Sequence, residues 1–316
     1  MEHLHDVLRQ RVAKAMSVLR GVRRPCNEDV FKRIAYIFPE DLKVVNYGRR
    51  PVAVFNPGAV IVGRELWVFP RLVFDYYGYV SSVGFFRLDI EKLLQGEIER
   101  PIETRVVLWP RELWEFRGCE DPRASIHGSE ILILYTGLGY RPEDVEKRRF
   151  VTTWVQGLAV LNHGMELVKR GFFRVRVGGK RVGMRIKDSA FIEIRGSEAS
   201  MLCRPSVNGI EICWRCRANL DGMEIDIDSM EPVMVYEEWE LKVGWSTNTV
   251  RISSSECLVG WHGVLREDYS YRNGLAVVDR DGRVLALSNY LLSPRGVVEE
   301  YGDRPLVVFG NGLVLY

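Results

Sequence analysis

The sequence predicts an all-β fold, a five-bladed β-propeller preceded by one amphipathic helix. Three observations predict it. Helical periodicity is confined to residues 1–24, apart from a short acidic stretch near Glu91. The rest of the chain runs in short apolar segments separated by turn residues. Five of those segments repeat one pattern: an Asn or Asp, an apolar run, a polar or glycine tip, and a second apolar run.

In the N-terminal stretch Leu4, Leu8, Val12, Ala15, Met16 and Leu19 recur at helical spacing, with Arg9, Arg11, Lys14, Arg20, Arg23 and Arg24 on the remaining surface. Such a stripe packs against the body of the protein or against a neighbouring subunit, which would make the helix a homo-oligomer contact. A membrane-surface role is disfavoured, because the stripe lacks large aromatics. The expected division is therefore a helix over 1–24 and a catalytic propeller domain over 25–316.

The repeats open at Asn56, Asp121, Asp188, Asn248 and Asp303, spaced 65, 67, 60 and 55 residues apart. Each interval has room for about four short strands, the content of one propeller blade. Further hairpin signals fall between them at Asn162-His163-Gly164, Asp221-Gly222 and Asp281-Gly282. In a propeller the first strand of each blade lines the central channel, so five polar openings would converge at one mouth. Carboxylates crowded there shift one another's pKa, and one of them can stay protonated near neutrality. The competing reading is that Asn and Asp only turn the chain into a strand. That reading stays open for Asn248. It is less attractive for Asp121, Asp188 and Asp303, which are flanked by Arg123, Lys187 and Arg304.

The 316 residues carry a net charge of +2, which implies no strong field for nucleic acid or membrane. Eight Trp, thirteen Tyr and thirteen Phe suit strands and also sugar-binding clefts. No apolar run approaches the roughly 20 residues of a membrane span, and the N-terminus lacks a signal-peptide core, so a cytoplasmic protein is expected. Of six cysteines, Cys213 and Cys216 form one Cys-x-x-Cys; a zinc ribbon needs a second pair, so buried thiols are expected and no metal.

The densest chemistry lies at Glu120-Asp121-Pro122-Arg123, two carboxylates, a rigid proline and a guanidinium at a strand mouth. It is either an ion pair closing a loop or an acid held on a stiff platform. These four residues resemble the Glu-Asp-Pro-Arg signature of glycoside hydrolase family 130, the mannoside phosphorylases and mannosidases. The resemblance extends over most of the chain after about residue 45. It includes Asn56-Pro57 with Arg71, Lys187-Asp188-Ser189-Ala190-Phe191, Arg204-Pro205-Ser206, Trp261-His262-Gly263-Val264, Tyr271-Arg272-Asn273-Gly274 and Gly302-Asp303-Arg304-Pro305.

The resemblance implies a five-bladed propeller enzyme that cleaves β-mannosides. It makes Asp121 the general acid, sending its proton to the glycosidic oxygen through a mannose hydroxyl while phosphate attacks the anomeric carbon with inversion. Asn56, Arg71, Glu120, Arg123, Asp188 and Asp303 would hold the sugar, and Lys187, Arg204, Arg251 and His262 the phosphate. Trp261 would stack on a sugar ring or sit in the core. A cationic cradle is what a buried dianion requires. Inorganic phosphate would be the co-substrate and an oligosaccharide the partner, with no metal or organic cofactor.

Three departures stand out. Ser246-Thr247-Asn248-Thr249 replaces a Gly-Pro-Pro-Pro run, Cys203 replaces a histidine before Arg204, and a closing Tyr-Tyr-Gly-Ala-x-Asp segment is missing. The last blade is thus expected to close differently, for instance with a strand from the N-terminal part. Besides the phosphorylase, two other functions fit these residues: a hydrolase using Asp188 or Glu193 as base, and a non-catalytic propeller binding glycans or proteins.

Overall fold

The computed structural model describes residues 2–316. Met1, where the predicted helix begins, lies outside the described residues, and so do the side chains of Glu2, His3 and Glu143. The chain is all-β apart from its N-terminal helix and a few single-turn helical segments. It divides into two units, one of residues 32–172 with 311–316, the other of residues 1–31 with 173–310.

The 32–172 unit holds two antiparallel meanders. A short parallel strand β1 (Leu42–Val44) edges the first, which runs through β2 (Ala53–Val62), β3 (Glu65–Val73), β4 (Ser81–Asp89) and β5 (Ile102–Leu108). The second runs through β6 (Gly118–His127), β7 (Glu130–Tyr140), β8 (Thr152–Asn162) and β9 (Leu167–Phe172). A single parallel bridge, Ser81 to Gly118, joins them into nine strands. Alternation along β3 sends Trp67 and Phe69 into one apolar cluster, with Ile131, Ile133 and Tyr135 of β7. Val68 and Leu72 enter another, with Leu42, Ile102 and Val106. Both faces of the first meander are buried, which is why β3 reads as one apolar run; each such side chain contributes about 1.5–3 kcal/mol.

The 173–310 unit repeats the theme. A hairpin of β10 (Arg174–Val177) and β11 (Lys180–Val182) leads into β12 (Ile186–Arg195), β13 (Glu198–Val207), the two-residue β14 (Ile210–Glu211), β15 (Cys213–Asn219), β16 (Glu224–Asp226) and β17 (Glu231–Met234). A separate four-stranded meander follows: β18 (Glu240–Arg251), β19 (Glu256–Leu265), β20 (Tyr271–Asp279) and β21 (Val284–Leu287). The hairpin expected after Asp303 does not form. Among the described residues no strand follows β21, and the one β-bridge of Asp303–Leu315 is the isolated one from Tyr271 to Val307. Leu306, at φ 58°, turns that segment, and its backbone carbonyl and amide bond Tyr271 and Glu300 instead of a partner strand.

The N-terminal helix α1 (Glu2–Val18) is shorter than expected. Gly21 turns out of it at φ 82°, and the amides of Gly21, Val22 and Arg23 bond the Glu237 carboxylate rather than extending the helix. Leu4, Leu8, Val12 and Ala15 are buried within the chain's own unit, and Arg11 reaches the carbonyls of Ile227 and Met230 at 2.6 Å each. The apolar stripe thus lies against the chain's own unit, the first of the two packings expected of it. No helix among the described residues is long and apolar enough to cross a membrane. The six cysteines are free thiols, five of them buried, Cys213 and Cys216 included.

Candidate functional site

The repeat seen in the sequence is a repeat of β-bulges. Phe55 and Gly58, three residues apart on β2, oppose Arg71 and Phe69, two apart on β3. Glu120 and Arg123 on β6 oppose Thr136 and Leu134 in the same way, and Lys187 and Ala190 on β12 oppose Arg204 and Leu202. The extra residue is Asn56, Asp121 or Asp188, with φ of 47°, 50° and 51°. Asn and Asp enter this left-handed region more readily than most residues. A bulge re-aims the side chain it carries, so these openings both turn the chain and present a polar group. The fourth repeat differs. Trp245 and Thr249, four apart, oppose Trp261 and Val259, two apart. With two residues to accommodate rather than one, Asn248 avoids the left-handed region and donates to the Thr249 carbonyl at 3.3 Å.

In the 32–172 unit the first two bulges pack together. A side chain at Gly58 would run into the Pro122 carbonyl, so only glycine allows the approach. Asn56 Nδ2 donates to Asp121 Oδ1 at 2.8 Å. Arg71 spans the paired acids: Nη1 reaches Asp121 Oδ1 at 3.1 Å and Nη2 reaches Glu120 Oε1 at 2.6 Å, while Nε donates to Ser81 Oγ at 2.7 Å. Burial alone pulls the Arg71 pKa down, and attraction to Asp121 and Glu120 more than reverses this, so it is raised. Arg123 is buried and donates to the Asp121 carbonyl at 3.0 Å. The structure thus brings Asn56, Arg71, Glu120, Asp121 and Arg123 together.

Asn311 completes this cluster, and sequence reasoning missed it. Its side chain is 2% exposed, and its Nδ2 donates to the carbonyls of Asn56 and Pro122, one on each bulge. Asn311→Ala is expected to destabilise the 32–172 unit by about 1–3 kcal/mol, the cost of leaving buried carbonyls unmet. Turnover is expected to fall as the bulges loosen. Denaturant melts with kcat measurements check this; a variant of unchanged stability and turnover would refute the role.

In the 173–310 unit the bulge of β12 sits over β13 and β18. Arg204, 2% exposed, pairs through Nε with Asp188 Oδ2 at 2.8 Å and through Nη1 with Glu211 Oε2 at 3.1 Å. Lys187 lies directly across from Arg204 in the sheet, and Lys242 Nζ is 3.7 Å from Glu211. His262 Nε2 stands 3.8 Å from Asp188 Oδ2, and its ring packs on Tyr271 and Phe309 at 5.7 and 4.6 Å between centroids. Gly244 leaves the room for this. A Cβ there would lie 2.6 Å from His262 Cε1 and 2.7 Å from Asp188 Oδ2. Desolvation, then repulsion from Arg204, lowers the Lys187 pKa below the usual 10.5.

The structure therefore assembles Lys187, Asp188, Arg204 and His262, and adds Glu211 and Lys242, which no motif marked. Arg251 stands apart from them. It is exposed at the far end of β18, 3.7 Å from Glu193 and bonded to the Ser254 carbonyl. Opposite Arg251 and Gly244 on β19 stand Cys257 and His262, five residues apart, so roughly 17 Å at 3.3 Å each separates Arg251 from Gly244. Asp303 is exposed on the irregular segment before Leu306, where Arg304 packs over Tyr271 at 5.5 Å. Trp261 is fully buried, beneath the Arg23 guanidinium at 4.5 Å, and serves the core.

Chemically, one cluster offers a carboxyl pair sharing one guanidinium. The other offers three cations against two carboxylates, an excess of positive charge suited to an anion. Solved structures share the fold. A Listeria innocua β-1,2-mannobiose phosphorylase in complex with β-1,2-mannobiose matches with a TM-score of 0.60 at 17% identity, over 88% of each chain. A Bacteroides ovatus glycosyl hydrolase matches with a TM-score of 0.61 at 15% identity, over 83% of this chain and 77% of its own. A Leishmania mexicana mannose phosphorylase in complex with a phosphate ion matches with a TM-score of 0.52 at 14% identity, over 92% and 79%. No curated protein sequence matches. The family model of glycoside hydrolase family 130, described as beta-1,4-mannooligosaccharide phosphorylase, matches residues 21–316, and the chain belongs to that family of glycoside-cleaving enzymes.

Proposed function

We propose that the protein is an inverting phosphorylase that cleaves a β-mannoside with inorganic phosphate to give α-mannose 1-phosphate. The observation that carries this reading is the cationic excess around Lys187 and Arg204. Water needs no such cradle, whereas a phosphate dianion does. Phosphate oxygen forms the new bond to the anomeric carbon as the glycosidic bond breaks, and the leaving oxygen takes a proton. Asp121 supplies that proton. Glu120 and Asp121 share Arg71, which makes them a crowded carboxylate pair. Desolvation by bound sugar favours neutralisation of one of them by a proton. His262 helps hold the anion, and Asn56, Arg71 and Arg123 hold Asp121 in place.

A hydrolase would need a second carboxylate as base. Asp188 is tied to Arg204 at 2.8 Å, and Glu193 pairs with Arg195 at 2.8 Å near the outer end of β12, so neither is favoured. The five-bladed closure expected from the repeats belongs to the same proposal, with the chain ends completing the fifth blade. So does a cytoplasmic setting, which buried free thiols suit.

Incubation with β-1,2- or β-1,4-mannobiose, with and without phosphate, tests the reading. Release of mannose 1-phosphate only with phosphate is expected, and sugar release indifferent to phosphate would mean hydrolysis. Lys187→Ala is expected to raise the KM for phosphate at least tenfold, the loss of one charged contact. Since the Lys187 pKa is depressed, the cation is lost as pH rises through a value below 10.5. The KM for phosphate therefore climbs at a lower pH than an ordinary lysine would dictate, and Lys187→Arg flattens that limb.

A further inference from the structure

Ser246 stands where the family pattern has glycine, and its hydroxyl joins a buried chain of hydrogen bonds. Its Oγ lies 3.0 Å from His262 Nδ1 and 3.4 Å from Asn273 Oδ1. Asn273 Nδ2 donates to the Val308 carbonyl at 2.6 Å, and Gly310 N donates to Asn273 Oδ1 at 3.1 Å. A carbonyl only accepts and an amide N–H only donates, so these two contacts fix which way the Asn273 amide points. Its Oδ1 therefore faces the Ser246 hydroxyl as an acceptor, and when that hydroxyl is given to Asn273 the Ser246 oxygen accepts from His262 Nδ1–H. Ser246, His262 and Asn273 are 0%, 2% and 5% exposed, so water does not compete for these bonds.

In that arrangement neutral His262 carries its proton on Nδ1 and an electron pair on Nε2. Nε2 is directed toward Asp188, 3.8 Å away, which is itself an acceptor. The other groups facing the ring are Arg204 across Gly244, and the Tyr271 and Phe309 rings.

Resting on the phosphorylase reading above, we infer that Ser246, anchored by Asn273, is a positioning residue that holds His262 Nε2 as an acceptor and so selects an anion carrying its own proton, hydrogen phosphate, over a fully ionised tetrahedral anion such as sulfate. Cations draw both anions. Only hydrogen phosphate has an O–H to give to Nε2, and sulfate meets two lone pairs there.

Nitrogen NMR of the full chain with labelled histidine tests this without substrate. The protein has five histidines, and His262→Gln identifies the signal. Wild type is expected to show protonated Nδ1 and bare Nε2. Ser246→Ala is expected to move His262 toward Nε2–H and to narrow the phosphate-over-sulfate preference, read by calorimetry, about tenfold, the worth of one buried hydrogen bond. Ser246→Thr, which keeps the hydroxyl, is expected to restore both. Wild-type His262 protonated on Nε2 with bare Nδ1 would overturn the inference, as would Ser246→Ala with unchanged tautomer and preference. Binding of neither anion would overturn the selectivity and the phosphorylase reading together, while the tautomer would still decide the role of Ser246.

Discussion

Asp121→Asn is expected to cut turnover of a β-mannoside by about 10²–10⁴-fold, the usual contribution of a positioned general acid. The substitution is nearly isosteric, and the side-chain oxygen that accepts from Asn56 and Arg71 is retained. Asparagine also tolerates the left-handed backbone at φ 50°. The loss should therefore fall on kcat, with melting temperature and KM for phosphate little changed. Substrates whose leaving group needs no proton, such as a nitrophenyl mannoside, should lose much less. Equal turnover of wild type and variant would show that Asp121 is not the proton donor, and no turnover by either would show a protein that binds glycans without cleaving them. A large loss accompanied by unfolding would instead make the Asn56–Arg71–Asp121 cluster a stability element, and Asp121→Glu would then restore stability and activity together.

The second large effect is on stability. Glu240→Ala is expected to destabilise the 173–310 unit by about 3–5 kcal/mol, because it strands a buried cation. Arg23 and Glu240 are 4% and 0% exposed and bind through two parallel contacts, one between Arg23 Nη2 and Glu240 Oε2 at 2.6 Å. Glu240 also accepts from the Tyr290 hydroxyl and from Glu237 N, the latter at 2.8 Å. Burial tends to lower the Arg23 pKa, and the bond to Glu240 outweighs it and raises it. Arg23 is the hinge by which residues after α1 attach to their unit, so the helix should become protease-sensitive in the same variant. Denaturant melts will show two transitions if the units unfold separately, and only one should move. The Arg23→Met/Glu240→Leu double variant should recover much of the loss, since replacing both charges removes the desolvation penalty. A single-variant cost below about 1 kcal/mol would mean that water reaches the pair.

Much of the candidate site was legible in sequence because its chemistry sits in contiguous motifs. Glu120, Asp121 and Arg123 lie in one tetrapeptide, and Lys187 and Asp188 are adjacent, so their proximity costs no tertiary information. The structure agrees in gathering Asn56 and Arg71 around Asp121 and in pairing Arg204 with Asp188. Arg251 was misplaced because a one-letter correspondence fixes a position along a strand but not the register of the bulge before it. Two extra residues at Ser246–Asn248 change which groups β18 presents, and Arg251 ends beside Glu193. Asn311, Glu211 and Lys242 carry no local signal, since each acts on partners distant in the chain.

By itself the sequence determined the β class, the single N-terminal helix, the repeated polar openings and the identity of the acidic motif. These follow from side-chain periodicity and turn chemistry, which act over a few residues. The tertiary structure decided that the openings are bulges with Asn56, Asp121 and Asp188 in the left-handed region. It also decided that the last repeat forms no hairpin, and that Ser246 lies between His262 and Asn273. Those outcomes depend on strand register and on hydrogen-bond partners brought together from far along the chain, and only packing supplies them.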